Sequence, residues 1–249
     1  MIRGCICGAT VFALAAVALG ACTGDLDPAW QLDHDRIIAV RATPPSITSG
    51  QTSTLDSLIG AKGAKTRVAA PDGAMVVSPT SLSDVLAFTG GQWVVTAPSE
   101  DRLVAARAEL KLADGAPVPL QVGVAYTLPA PKDPLVAIKI ITLGQAANNP
   151  TLEALNVMIN DQPAMFEDPP ATESEIIVGK LVNVPLSIDV DDVNFDVAWL
   201  TSCGTMHDFD LPKAHIKVEA DDPQDGELAV VLRDAAGGVA WNVWSIRAQ

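Results

Sequence analysis

The chain has 249 residues, of which 49% are hydrophobic and only 4% aromatic, and its formal net charge is −14. This length suits one large or two ordinary domains, and an Ala- and Val-rich apolar fraction suits thin sheet cores better than large aromatic pockets. The acidic balance argues against binding nucleic acid or anionic headgroups, and 18 Gly with 18 Pro forecast many turns.

The N-terminus carries Arg3 and then the apolar run "VFALAAVAL" from Val11 to Leu19. That run is too short to span a bilayer, and small residues Gly20 and Ala21 follow it, so residues 1–21 read as a secretory signal peptide. Its last residues with the next cysteine, "LGAC", resemble the lipobox of bacterial lipoproteins. The resemblance implies a diacylglyceryl group on the Cys22 sulfur, cleavage just before Cys22 and acylation of its new amino group. Two or more acyl chains anchor stably, at roughly 0.8 kcal/mol per buried CH₂. In that family an Asp directly after the cysteine marks the inner membrane. Thr23 stands there instead, which favours the outer membrane or cell surface. Cys5 and Cys7 then leave with the signal peptide, so Cys203 has no partner and no intramolecular disulfide is expected.

Residues 22–35 read as a lipidated tether, reaching at most about 3.5 Å per residue. Trp30 and Leu32 are expected to pack back onto the body. Residues 36–128 read as a first β-sandwich. "RIIAVRATPPSITSGQTSTLDSLI" gives a strand, a Pro-Pro break, a Ser-Gly turn and a second strand. A short helix is expected at "TSLSDVLAF", with Ser81 and Asp84 as a capping pair. Alternation in "LVAARAELKLADG", the turn Asp114-Gly115, and alternation again from Val118 to Leu128 predict a long antiparallel hairpin. The Pro-rich segment 129–134 reads as a stiff linker.

Residues 135–249 read as a second sandwich. It opens on "LVAIKIITL", followed by a turn at Asn148–Pro150 and a strand or short helix in "TLEALNVMIND". Val184, Leu186 and Ile188 share one strand face, and Val197 and Trp199 share another. Leu228, Val230 and Leu232 lie on a closing hairpin whose turn is Asp234–Gly238. The Pro-broken first strand and a strand carrying Trp199 before a final hairpin resemble immunoglobulin-like domains. That resemblance implies two tandem immunoglobulin-like β-sandwiches, an all-β fold, with Trp199 in a core.

No nucleophile elbow, HExxH, P-loop or paired CxxC occurs, and no catalytic residue is assigned. The segment "CGTMHDFDLPKAH" places Cys203, His207 and His215 within thirteen residues. Thiol, imidazole and carboxylate are metal ligands, and a thiol with an imidazole can form a nucleophile–base pair. Asp189, Asp191 and Asp192 in "DVDDVNFD" offer carboxylates of the kind calcium requires, but an EF-hand reading from Asp192 fails at Val197 and Cys203. The favoured reading is solvated loop carboxylates and no cofactor beyond the lipid. The expected function is a membrane-anchored envelope lipoprotein that acts as a non-enzymatic binding or structural module. It would bind an envelope or extracellular protein or polysaccharide and no nucleic acid. The alternatives are a metal-binding protein or hydrolase using the Cys203–His215 loop, and an accessory subunit of a surface or secretion assembly.

Overall fold

A computed structural model of the chain describes residues 28–129, 132–166, 175–191 and 193–249. In the first half the strands are β1 (Arg36–Thr43), β2 (Ser46–Ile47), β3 (Thr52–Ala61), β4 (Ala64–Ala69), β5 (Gly73–Ser78), β6 (Leu86–Thr89) and β7 (Gln92–Thr96). The helix α1 (Glu100–Leu110) and the long strands β8 (Val118–Tyr126) and β9 (Leu135–Leu143) complete it. One sheet runs β1-β3-β7-β6, with β4 also on β3, and the other runs β2-β9-β8-β5. Between them lies a core that includes Ile47, Leu55, Ile59, Leu120, Val122, Tyr126 and Ile141.

The second half repeats the plan. Its strands are β10 (Met158–Ile159), β11 (Gln162–Pro163), β12 (Glu175–Val178), β13 (Val184–Ser187), β14 (Phe195–Thr201), β15 (Thr205–His207), β16 (Lys213–Lys217), β17 (Asp225–Asp234) and β18 (Val239–Ala248). The sheets run β11-β10-β13-β16-β15 and β12-β18-β17-β14. In both halves a long closing hairpin, β8–β9 or β17–β18, is flanked on one side by an antiparallel strand. On the other side a short strand pairs parallel to it, β2 on β9 and β12 on β18. This is the strand arrangement of an immunoglobulin-like sandwich, with its outer face and core face alternating along each strand.

Several sequence expectations hold. Pro44 and Pro45 break the first strand into β1, which pairs with β3, and β2, which crosses to β9. Trp199 is fully buried among Val197, Leu228, Val230 and Leu232. The β17–β18 hairpin turns at Asp234–Gly238, where Gly237 N–H donates to Asp234 O.

Two expectations fail. Glu100–Leu110, expected in part as a strand, is the helix α1. Its alternation came mainly from alanines, which are neutral to face. Ala, Leu, Arg and Glu are strong helix formers, and Glu100 and Asp101 in the first turn suit the positive helix end. Leu103, Ala106 and Arg107 are buried, at helical spacing, while Val104 is exposed. Conversely, "TSLSDVLAF" forms a single 3₁₀ turn, Thr80–Leu82, followed by β6. Asp84 does not cap it and instead binds the Arg102 guanidinium on α1.

The division of the chain also differs from expectation. β8 pairs with β9 over its whole length, from Val118↔Leu143 to Tyr126↔Leu135. The described residues of that segment, Pro129 and Lys132–Pro134, therefore lie between two strands paired antiparallel, and "LVAIKIITL" closes the first sandwich rather than opening the second. Proline stiffness is compatible with either role, and the apolar complement on β8 decides between them.

The two halves pack directly on each other. Leu32, Ala39 and Leu58 from the first half and its lead-in segment bury against Leu200, Ala229, Val231 and Val239 of the second. Around this apolar centre, Arg41 lies 4.0 Å over the Trp241 ring while also binding Asp56 at 2.6 Å. Asn149 donates to Ala42 O and accepts from Val239 N–H, both at 2.9 Å. Thr66 N–H donates to the buried Glu227 carboxylate at 2.8 Å. The lead-in segment seals the seam. Leu32 N–H donates to Thr201 O, and Thr201 N–H donates back to Trp30 O.

Candidate functional site

The residues singled out for chemistry separate in the folded chain. Cys203 lies in the loop after β14, buried in the second core. Burial pushes its thiol up to about 11, and its N–H donates to Thr201 Oγ1 at 3.1 Å. An apolar, neutral thiol is the opposite of an activated nucleophile. His207 and His215 are brought together on the other sheet, directly opposite across β15 and β16, with rings stacked at 4.6 Å between centroids. Among the described residues, no group of three or more His, Cys, Asp or Glu is placed to hold a metal ion.

The acidic residues serve the backbone. Asp191 accepts from Val193 N–H at 2.9 Å and from the Asn194 amide at 2.7 Å, closing its own turn. Asp189 is exposed beside it. In the second acidic stretch Asp222 accepts from Glu219 N–H, and Asp225 pairs with Arg247 at 2.6 Å. Asp192 and Cys22 lie outside the described residues.

Two surfaces that the sequence did not single out have more shape. The first is a cleft of about 710 Å³ at the seam between the halves, whose charged lining includes Asp33, Lys65, Glu175, Asp225, Glu227 and Arg247. Most of these charges are already engaged. Asp33 accepts from Gly63 N–H, Glu227 from Thr66 N–H, and Arg247 holds both Glu175 and Asp225.

The second is the outer face of β5, β8 and β9. Side chains alternate across a strand, so the residues turned away from the core are Met75, Val77, Pro119, Gln121, Gly123, Ala125, Val136, Ile138, Ile140 and Thr142. None is charged. Met75, Val136 and Ile138 are 65%, 74% and 61% exposed. Gly123 lies between Met75 on β5 and Ile138 on β9, and Ala125 lies beside Val136. Small residues on the central strand and large ones on the flanking strands make a trough of about 670 Å³. A Cβ on Gly123 would sit 3.2 Å from a Val77 methyl, so glycine keeps the floor low.

The trough runs on into the seam. Ala137 and Ile138 line it, and they also line a groove of about 390 Å³ with Ile38, Ala39, Arg233 and Val239. At that groove Lys139 is buried and donates to Gly237 O at 2.6 Å. Burial lowers its ammonium to about 8, against the opposing pull of Asp234. A usable signal for the face existed in the sequence. "LVAIKIITL" is apolar on both sides of the strand, a pattern that demands two covered faces or marks a contact surface.

No protein-family model and no curated protein matches the chain. Solved structures do match over long stretches at low identity. The chain is 7% identical to the N-terminal Ig1-2 module of the Drosophila receptor protein tyrosine phosphatase DLAR, covering 85% of this chain and 98% of that one with a TM-score of 0.28. It is 10% identical to the fibronectin(III)-like modules of Clostridium thermocellum CbhA, covering 85% and 94% with a TM-score of 0.24. Against the protocadherin GammaB4 extracellular domain the identity is 11% and the TM-score 0.26, and the match spans 87% of this chain but only 33% of that one. Likeness at this level does not extend to function, and the sandwich assignment stands on the strand pairing itself.

Proposed function

We propose that the chain is a lipid-anchored envelope protein whose first sandwich binds another β-sheet protein through the trough on β5, β8 and β9. The observation that carries this reading is the uncharged, apolar outer face of those strands on a chain of net charge −14. An exposed apolar patch rimmed by polar surface marks a contact site more often than an accident of composition. The choice of occupant follows from the molecule's own seam. There the corresponding face of β14, β17 and β18 is covered by the outer face of another sheet, β1 and β3. The trough is continuous with that seam through Ile138 and Ala137, so a second sheet laid on it extends an existing mode of packing. Anchoring rests on the lipobox-like "LGAC" and Cys22, and the outer membrane or cell surface is the proposed location.

Two measurements test the two parts. Cys22→Ser is expected to abolish incorporation of labelled palmitate and release the protein from the membrane fraction, and unchanged fractionation would refute the anchor. A photo-crosslinking residue placed at Ile138, and at Val68 as a control, tests the face. The reading requires an adduct with one protein partner from Ile138 that is absent from Val68 and lost in Gly123→Lys. No specific adduct from Ile138, or one whose mass is that of two copies of this chain, would overturn it.

A further inference from the structure

The chain has three histidines, and two of them, His207 and His215, face each other across β15 and β16. Their rings stack at 4.6 Å with planes 13° apart. Stacking of two imidazoles, His207 exposed and His215 half-buried, contributes little by itself, yet the strand pairing already holds both Cβ atoms close together. Much of the entropy of gathering two ligands is therefore met by the fold. Asp208 follows His207 with a positive φ of 54°, and its carboxylate comes within 3.9 Å of His215 Nδ1. Lys213 and Lys217 flank His215 on its own strand. Lys217 is tied to Glu219 at 2.7 Å. Pro185 occupies the opposite side of His215 on β13 and contributes no competing donor.

We propose that His207 and His215 form a two-imidazole site for a divalent first-row transition ion, with water completing the coordination. Binding requires each ring to turn out of the stack so that one nitrogen from each reaches a shared ion at about 2.0–2.1 Å. Imidazole nitrogens suit Cu(II), Ni(II) and Zn(II), with Cu(II) favoured by the usual affinity order. Asp208, with its carboxylate 3.9 Å from His215 Nδ1, contributes negative charge next to the ion. Cys203 takes no part, because its thiol is buried and protonated in the core. The site is independent of the apolar trough.

The test uses the full chain with its accessible thiols alkylated, titrated with Ni(II) and with Cu(II). One ion per chain is expected, with a Cu(II) paramagnetic spectrum showing coupling to two nitrogens. His207→Ala and His215→Ala are each expected to weaken binding at least about tenfold. The rise in Tm that the ion confers on the parent should vanish in the double variant, whose metal-free Tm stays near that of the parent. Undiminished binding in the double variant, or an equal loss in His34→Gln, would overturn the proposal.

Discussion

The outer faces of the two closing hairpins are built from the same kind of residue and meet opposite fates. On β17 and β18 the face carries Ala229, Val231, Val239 and Trp241, packed under β1 and β3. On β8 and β9 it carries Gly123, Ala125, Val136 and Ile138, open to solvent. Both β17, with "LAVVL", and β9, with "LVAIKIITL", lack a polar side. The difference therefore does not reside in the strand. It resides in the cover: the described residues supply one for β17 and β18 and none for the outer face of β9. A strand written for two covered faces, with only one covered, is what separates the first half from the second.

Charge placed on each face tests that comparison most sharply. Val231→Asp buries an unpaired carboxylate in the seam and is expected to cost about 3–5 kcal/mol in denaturant unfolding. Ile138→Asp on the open face should change stability by no more than about 0.5 kcal/mol. Equal losses would mean that the β9 face is covered in solution.

Lys139 gives the next largest effect, because it faces the seam from the first half. Its ammonium titrates near 8 in the folded chain against an ordinary 10.5. Between those pH values the unfolded chain binds the extra proton, so this group makes stability rise with pH. The rise amounts to about 3 kcal/mol at most. Cys203, raised by burial to about 11, and Tyr126, raised to about 12, act in the opposite sense, since their protons leave the unfolded chain first. Those two contributions are common to the parent and to Lys139→Met and cancel in the difference. The stability difference between parent and Lys139→Met should therefore change in the parent's favour from pH 8 to 10.5. A pH-independent difference would place the charged lysine in contact with water.

The smallest of the three concerns the polar rim of the seam. Asn149→Ala leaves Ala42 O and Val239 N–H without their shared partner and should cost about 1–3 kcal/mol. A neutral result would show that water replaces the amide and that the apolar centre alone holds the halves together.

Much of this fold was legible in the residues. The Pro44-Pro45 break, the core position of Trp199 and the β17–β18 hairpin follow from turn chemistry and clean alternation. α1 was not legible as a helix by alternation, because Ala at 105, 106 and 108 satisfies either period. Composition carried the better signal there, since only Val104 in that segment favours a strand. The role of segment 129–134 was hidden because prolines mark linkers and hairpin loops alike, and only the pairing of β8 with β9 distinguishes them. Of the candidate site, sequence proximity suggested Cys203, His207 and His215 together. Strand geometry puts the thiol in the core and the imidazoles on the surface.

The lead-in segment has a mechanical consequence. Chain order places residues 28–35 before the first sandwich, yet Trp30 and Leu32 are hydrogen-bonded to Thr201 on β14 and Leu32 is wedged into the seam. A pull applied from the N-terminal side of Pro28 is thus delivered both to Thr201 of the second sandwich and, through the Arg36 guanidinium on the Ala29 and Gln31 carbonyls, to the start of β1. Load entering there is shared by both halves at their seam instead of being carried by the first sandwich alone.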